Sequence, residues 1–553
     1  MFNYMRIRRG LIPVMALIAL AATGTQAQAA TWYASAPDSS PVASGTACTL
    51  AAPCTLAYAL GTKVVAGDTL ILYSGTYSDK PDLNSSAKHS NLTITAMPSV
   101  VSALTFKRGV VTAGTDARPY FSGYSNTAGG ATGGSVFTVE SGVTGVTVSY
   151  LRIRGATFPW DDTGPTGVVR INAYPFTLDH TEVWNGGILG MILVAQGVTI
   201  SNSHLHDSSH WAPWPFVYQG SAKVYGTPDV HGIAITNYSN SPIATSYAQG
   251  IHILNSTIHD AGGNGIQENT NCYAGAGNRV AYLTMDGNEI YNSAKQNWDS
   301  KGTSNVIFSN NISWFGDHTG NADIDYGHIA VNSPNDCPNT QMNQWEIFNN
   351  VFYGSIRYVA MWNTQDTSSH CTAHHTYNNL MYNNNKNVAF ADDPLYKMCG
   401  DSLSTFYNNT VVNNQGSTRS GGVETSASGN NVKNNILMNN GADGNLSTHC
   451  YKCSNTGTPD HNYFFGVNPG GTGTNAITAC FATGNCPGFV NLASNVYKLL
   501  TGSPARSAGV SNLGAPYNVD ILGVARTGTW DLGAYAYTAG TPPTAPTNLR
   551  IVP

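Results

Sequence analysis

One short phrase recurs ten times along the chain: a few alternating strand residues, one or two Asn or similar polar residues, then an aliphatic. It runs from Val148-Ser-Tyr-Leu-Arg-Ile153 and Ile253-Leu-Asn-Ser-Thr-Ile258 through Ile307-Phe-Ser-Asn-Asn-Ile312 and Glu346-Ile-Phe-Asn-Asn-Val351 to Asn431-Val-Lys-Asn-Asn-Ile436. Between Ile153 and Val351 the closing aliphatics are separated by 30, 22, 53, 32, 22 and 39 residues, so the shortest steps set one unit and the longer ones mark insertions. Units of about 20–45 residues that each contact only their neighbours build a solenoid. The polar residues choose which one. Strands stacked about 4.8 Å apart let each Asn side chain hydrogen-bond to the Asn above and below, which suits a bend of a parallel β-helix. The chain is therefore expected to be all-β, a parallel β-helix.

Composition points the same way. Only 10% of the 553 residues are charged, against about 25% in an ordinary domain. The polarity comes from 58 Gly, 29 Tyr and many Asn, Ser and Thr, which favour turns and strands over charged amphipathic helices. With 26 Lys and Arg against 31 Asp and Glu, the net charge of −5 disfavours a nucleic-acid partner. Residues 1–29 read as a signal peptide: Arg6, Arg8 and Arg9, an apolar run from Leu11 to Ala22, and the small-residue site Ala27-Gln28-Ala29. A secreted protein, extracellular or periplasmic, is expected, monomeric and without membrane insertion once the signal is removed. Ten Cys agree with an oxidising compartment, with Cys48 near Cys54, Cys450 near Cys453 and Cys480 near Cys486. Cys272, Cys337, Cys371 and Cys399 are left to form two longer bridges of undecided pairing. Zinc at Cys450 and Cys453 is disfavoured, because no second Cys-x-x-Cys completes a tetrahedral set.

A solenoid needs closed ends. Helical spacing of Leu56, Leu60 and Val64 within residues 53–66 suits an N-terminal capping helix. The next segment, Gly67-Asp-Thr-Leu-Ile-Leu-Tyr-Ser-Gly-Thr-Tyr77, resembles the first turn of secreted right-handed parallel β-helix proteins of the pectate-lyase-like superfamily. Gly502-Ser-Pro-Ala-Arg506, and Asp520-Ile-Leu-Gly-Val-Ala-Arg526 with Asp531-Leu-Gly-Ala-Tyr-Ala-Tyr537, resemble that superfamily's closing turns. The resemblance spans residues 31–538 and implies a right-handed solenoid with both ends capped. Residues 539–553 form a Pro/Thr-rich tail that resembles the opening strand of a fibronectin type III module.

Candidate site residues follow from an alignment on Ile233, Ile266, Trp298, Ile329 and Val359 as lumen positions of successive turns. Side chains alternate between faces along a strand, so residues one before, one after and three after each of these are expected in one outward strip. Its centre is Asp299, Lys301 and His328, the expected catalytic group, with Gln267, Asn269, Asn297 and Asn332 as hydrogen-bonding neighbours and Tyr358 and Trp362 as an aromatic edge for a sugar chain. Glu268 is expected to point inward beside Ser300. Asp317, Asp323 and Asp325 form an acidic loop cluster able to supply oxygen ligands to Ca²⁺. Each group also has a structural alternative: a surface ion pair for Asp299 and Lys301, a loop hydrogen bond for His328, solvated acids for the loop.

The resemblance implies a polysaccharide partner. The polygalacturonase phrases Asn-Thr-Asp, Gly-His-Gly and Arg-Ile-Lys are absent. Asp299 is the strip's single carboxylate, whereas glycoside hydrolysis uses two, about 5–9.5 Å apart. A lyase that cleaves an acidic, uronate-containing glycan by β-elimination is therefore preferred, with Lys301 or His328 as base. Asp299-Ser-Lys-Gly-Thr-Ser-Asn-Val-Ile-Phe-Ser-Asn-Asn-Ile312 with Asp317-His318 resembles the pectate-lyase turn that presents a calcium-ligating Asp, and Asp299 is the matching position. The Arg-x-Pro-x-x-Arg that carries the base in those lyases has no counterpart. The alternatives are a non-catalytic, adhesin-like glycan-binding protein and a glycoside hydrolase.

Overall fold

The computed structural model describes residues 29–538 except 124–134, 156–166, 186–191, 195, 209–230, 237–243, 270–279, 316–326, 333–341, 356, 364–370, 385–394, 399–402, 415–422, 426–430, 441–450, 454–458 and 466–473. Residues 1–28 of the expected signal and the tail 539–553 lie outside the described residues.

Among the described residues, three long sheets of 13, 13 and 12 strands extend from Thr31 to Phe465, and every pairing within them is parallel and joins successive turns. One turn supplies a strand to each sheet in order: Ala281–Asp286 to the first, Glu289–Tyr291 to the second and Trp298–Ser300 to the third. The next turn repeats this with Ser304–Ser309, Ile312–Trp314 and Ile329–Asn332. Parallel strands in one sheet are joined by right-handed crossovers, and the molecule is a right-handed parallel β-helix.

Alternation fills the lumen with stacked columns. In the second sheet Ile153, Val183, Leu205, Ile258 and Ile290 lie one above another and are fully buried. At the bend between the first and second sheets the recurring Asn-Asn pair divides the work. The first Asn takes a left-handed backbone, with φ of 55° at Asn310, 56° at Asn349 and 55° at Asn378, a conformation Asn adopts at lower cost than most residues. The second turns inward and stacks. Asn311, Asn350, Asn379, Asn409, Asn435 and Asn462 each accept a backbone N–H from the turn before, as in Asn311 N to Asn350 Oδ1 at 2.9 Å. Each amide from Asn311 to Asn435 then passes a hydrogen bond to the next, as in Asn350 Nδ2 to Asn379 Oδ1 at 2.9 Å, and all six donate to a backbone carbonyl, as in Asn350 Nδ2 to Phe308 O at 2.8 Å. Asn384, Asn414 and Asn440 build a second such column at the following bend.

The N-terminal cap forms as expected. Thr55 accepts a hydrogen bond from Tyr58 N at 3.3 Å to start a helical segment through Lys63, and Leu56, Leu60 and Val64 are buried on the first turns. The C-terminal phrases behave differently from closing turns. They add no parallel strands to the three sheets. Instead the segment folds back along the solenoid: Asn378 and Asn408 donate to Val519 O and Tyr517 O, and Gly533 N donates to Asn434 O. Tyr497, Leu532 and Tyr535 pack on Ile312, Val351, Leu380 and Ile436, the outward apolar column of the second sheet. An apolar outer face in the C-terminal half requires such a cover.

Disulfides join Cys48 to Cys54 and Cys480 to Cys486. The other expected bridges involve Cys272, Cys337, Cys399 and Cys450, which lie outside the described residues. No helix among the described residues is long and apolar enough to cross a membrane.

Candidate functional site

The third sheet carries the predicted strip, in the predicted register over three of its joints. Ile233 pairs with Ile266, Ile266 with Trp298 and Trp298 with Ile329, so Ala234, Gln267, Asp299 and Ala330 form one outward column. Asp299 and Lys301 meet there, with Lys301 Nζ 2.8 Å from Asp299 Oδ2. Gln267 Nε2 and Asn264 Nδ2 each donate to the same oxygen at 3.3 Å. Only 5% of the Asp299 side chain is exposed, whereas Lys301 keeps 26%, so Lys301 is the member of the pair that a ligand can reach. Asn264 was not anticipated, although it lies two residues before a lumen position. Asn269 follows Glu268 and pairs with Thr236, and Asn332 follows Val331 and pairs with Asn363.

Three expected members are elsewhere. His328, Asn297 and Tyr358 are 1–2% exposed. They occupy the bend that leads into each strand, where the two-residue alternation has not begun, and they turn into the body of the solenoid. His328 Nδ1 lies 2.7 Å from Ser313 Oγ and its Nε2 2.9 Å from Asn384 Oδ1. Burial pushes its imidazole down to about 3, so it is neutral and enclosed, not a base on the strip. Asn297 Nδ2 donates to Ile290 O and Ser313 Oγ, and Tyr358 Oη accepts from Gln296 Nε2. The register also slips by one at the next joint, because Ile329 pairs with Ala360 rather than Val359. Trp362 consequently pairs with Val331 and Met361 with Ala330, so Trp362 is not in register with the Gln267–Asp299 column. Glu268 is inward as expected and fully buried, accepting from Trp298 Nε1 at 3.0 Å, Ser300 Oγ at 2.8 Å and Thr303 Oγ1. Burial pushes its carboxyl up to about 8 against the opposing pull of those hydrogen bonds.

Asp317, Asp323 and Asp325 lie outside the described residues. Among the described residues the strip offers one carboxylate, already met by three N–H groups. Calcium takes 6–8 oxygen ligands, so these residues alone do not make a calcium site.

A second polar group lies on the outer face of the second sheet. One outward column reads Arg152, Glu182, His204, Thr257 and Glu289, and the column beside it Trp184, His206, His259, Tyr291, Trp314 and Tyr353. The rings of the latter are stacked, with centroids 4.3–6.0 Å apart and planes within 3–10°. Their faces cover one another, so the ladder presents ring edges and is no platform for the CH faces of a sugar. At its N-terminal end the ligand nitrogens of His204, His206 and His259 lie within 4.8 Å of one another. Glu182 Oε1 is 3.2 Å from His206 Nε2, and Arg152 Nε donates to Glu182 Oε2 at 2.8 Å. Burial would raise the Glu182 carboxyl, but the bonds from His206 and Arg152 hold it down at about 2. Burial, with His206 and His259 alongside, pushes His204 down to about 2. For His206 burial is outweighed by Asp207 and Glu182, which hold it up at about 9. The sequence signal for this group was His204-Leu-His206 at alternate strand positions, with His259 one residue after the repeat's closing Ile258.

No protein-family model and no curated protein matches this chain. Among solved structures it is similar to the pectate lyase Pel9A, at 12% identity over 92% of this chain and 96% of that one, with a TM-score of 0.34. It is also similar to PfbA, a surface adhesin of Streptococcus pneumoniae, at 13% identity over 66% and 82% of the two chains and a TM-score of 0.44. An alginate lyase from Paenibacillus sp. is similar at 15% identity over 73% and 95%, with a TM-score of 0.32. At such identities and TM-scores the likenesses carry nothing about activity, and the fold assignment rests on the three parallel sheets.

Proposed function

We propose that this chain is an exported protein that acts on an acidic polysaccharide, cleaving it by β-elimination on the outer face of the third sheet. The observation that carries the reading is the Asp299–Lys301 pair, set with Gln267 and Asn264 in one outward column of a rigid sheet. An extended polymer can lie along such a column, and the half-buried Lys301 carries the positive charge suited to a uronate carboxylate. Elimination then needs a base for the proton beside that carboxylate. With His328 buried, the neutral amine of Lys301 is the described strip residue able to take it, the C–O bond to the departing sugar breaking as the double bond forms and water protonating that sugar oxygen. The ammonium that binds and the amine that reacts are thus alternative protonation states of one group. An amine is a base only in its neutral form, so the rate is expected to rise into alkaline pH.

A second reading is a glycan-binding protein that does not cut. It is favoured by the same geometry, since Lys301 lies 2.8 Å from Asp299 Oδ2 and an ammonium in an ion pair can hold a uronate carboxylate without taking part in bond cleavage.

A panel of polyuronates and neutral glycans, followed for the ultraviolet absorbance of unsaturated product and for reducing ends, separates these readings. Both signals rising supports elimination, and reducing ends alone indicate hydrolysis. Retention of the protein on a polyuronate with neither signal supports binding. A chelator arm tests whether the acids at 317, 323 and 325 bring in calcium. Full activity in Lys301→Ala would remove the strip from the reaction.

A further inference from the structure

The second-sheet histidines have no part in the reading above, yet they are arranged as ligands are. We propose that His204, His206 and His259, with Glu182 beside them, form a binding site for a divalent transition metal, Zn²⁺ by preference, that ties together three consecutive turns of the solenoid.

The donors stand on strands rather than loops: Glu182–Trp184, His204–His206 and Thr257–His259 are side by side in parallel register. His204 and His206, two residues apart, share the outward face, and His259 sits in register with His206 on the next strand. Two of the rings are oriented from behind. His206 Nδ1 lies 2.8 Å from Asp207 Oδ2, and His259 Nδ1 lies 2.6 Å from Asp260 Oδ2. A carboxylate on Nδ1 is the usual support for a metal-bound imidazole: it leaves the other nitrogen of His259 to carry the lone pair, and at His206, whose Nε2 faces Glu182 Oε1, the metal takes the place of the proton between them.

The front of the group has the spacing that coordination needs. His204 Nε2 and His259 Nε2 are 2.8 Å apart, two ring nitrogens with one proton between them. Tetrahedral zinc with Zn–N of about 2.0–2.1 Å holds its nitrogens roughly 3.3–3.4 Å apart, so this pair has to open by about half an ångström while the wider pairs, all within 4.8 Å, close onto the ion. Glu182 Oε1 is 3.2 Å from His206 Nε2 but outside the set of three histidine nitrogens that lie within 4.8 Å of one another, so it becomes a fourth donor only by swinging inward, and a water fills that place otherwise. Imidazole nitrogens with one carboxylate suit zinc and its neighbours and do not suit calcium, which takes oxygen.

The test uses the full mature chain, stripped with chelator and dialysed against micromolar Zn²⁺. One zinc per chain retained through gel filtration, a raised melting temperature and no such effect of Ca²⁺ are expected. Co²⁺ in the same place is expected to give the visible absorption of a tetrahedral nitrogen-rich site. His206→Gln and His259→Gln should each weaken zinc binding at least about tenfold, and Asp260→Asn, a positioning residue, by about tenfold. His252→Gln, on the first sheet and hydrogen-bonded to Tyr247 O, should bind as the parent does. Circular dichroism checks each fold, and Asp260→Asn carries the test should a histidine variant fail to fold. Absence of stoichiometric zinc, or unchanged affinity in the folded variants, overturns the proposal and leaves the group as an ion-pair and ring-stacking network.

Discussion

Glu268 shows what a single residue in the lumen can reveal. Its position was legible because alternation from Ile266 sends it inward, and its cost is set by what surrounds it there. With Trp298, Ser300 and Thr303 donating to it, the carboxyl is satisfied, but burial raises it to about 8. The folded state therefore keeps its proton over a pH range in which the unfolded chain, near the ordinary glutamate value of about 4.3, has lost it. Between these two values stability falls as pH rises, because the native state binds the extra proton, and it levels off above the folded value. Glu268→Gln removes this slope. Melting curves from pH 4 to pH 9 should show the variant losing less stability with rising pH than the parent, by on the order of a few kcal/mol at the alkaline end. Equal slopes would mean that the site stays ionised. His328 was misplaced at the same scale: an alternation rule says nothing about a residue that precedes the strand, and its partners Ser313 and Asn384 are 15 and 56 residues away.

At the scale of the element, the bend is the unit that sequence describes best, because each of its two Asn has a backbone reason to be there. Asn350 joins two neighbours, accepting from Asn311 N and Asn311 Nδ2 and donating to Asn379 Oδ1 and Phe308 O. Asn350→Ala leaves those buried groups without a partner, at about 1–3 kcal/mol for an unmet buried polar group. A lower melting temperature is expected, with retention on a polyuronate unaltered, since the bend is remote from Lys301 in the turn. An unchanged melting temperature would mean that the column does not support the stack. The strands between bends were less legible. Distance from the closing aliphatic does not fix where the next strand begins: Val359 stands eight residues after Val351, as Trp298 does after Ile290, yet Ala360 is the residue paired with Ile329. Ile233 and Ile329, which follow insertions, keep the expected pairing. The C-terminal phrases were misjudged for a related reason. A segment that covers an outer apolar column and one that closes a lumen need similar apolar residues, and what separates them is the partner, here Ile312, Val351, Leu380 and Ile436.

For the whole molecule, charge and architecture set the terms on which a polymer could bind. The net charge is −5, so an acidic polysaccharide is repelled by the protein as a body while Lys301 attracts it locally on the third sheet. These two effects respond differently to salt. Repulsion acts between exposed charges far apart and is largely screened once the Debye length falls to about 10 Å at 0.1 M. The contact at Lys301 is half-buried beside Asp299 and is screened less. Affinity for a polyuronate is therefore expected to rise, or hold, as ionic strength goes from about 0.01 M to 0.1 M, and to weaken at higher salt as the contact itself is screened. Equilibrium titration of an oligouronate at stepped ionic strength reads this directly, with Lys301→Ala expected to bind weakly throughout. A steep, continuous loss of affinity from the lowest salt upward would instead require an extended basic surface, and would move the binding face away from the Asp299–Lys301 column.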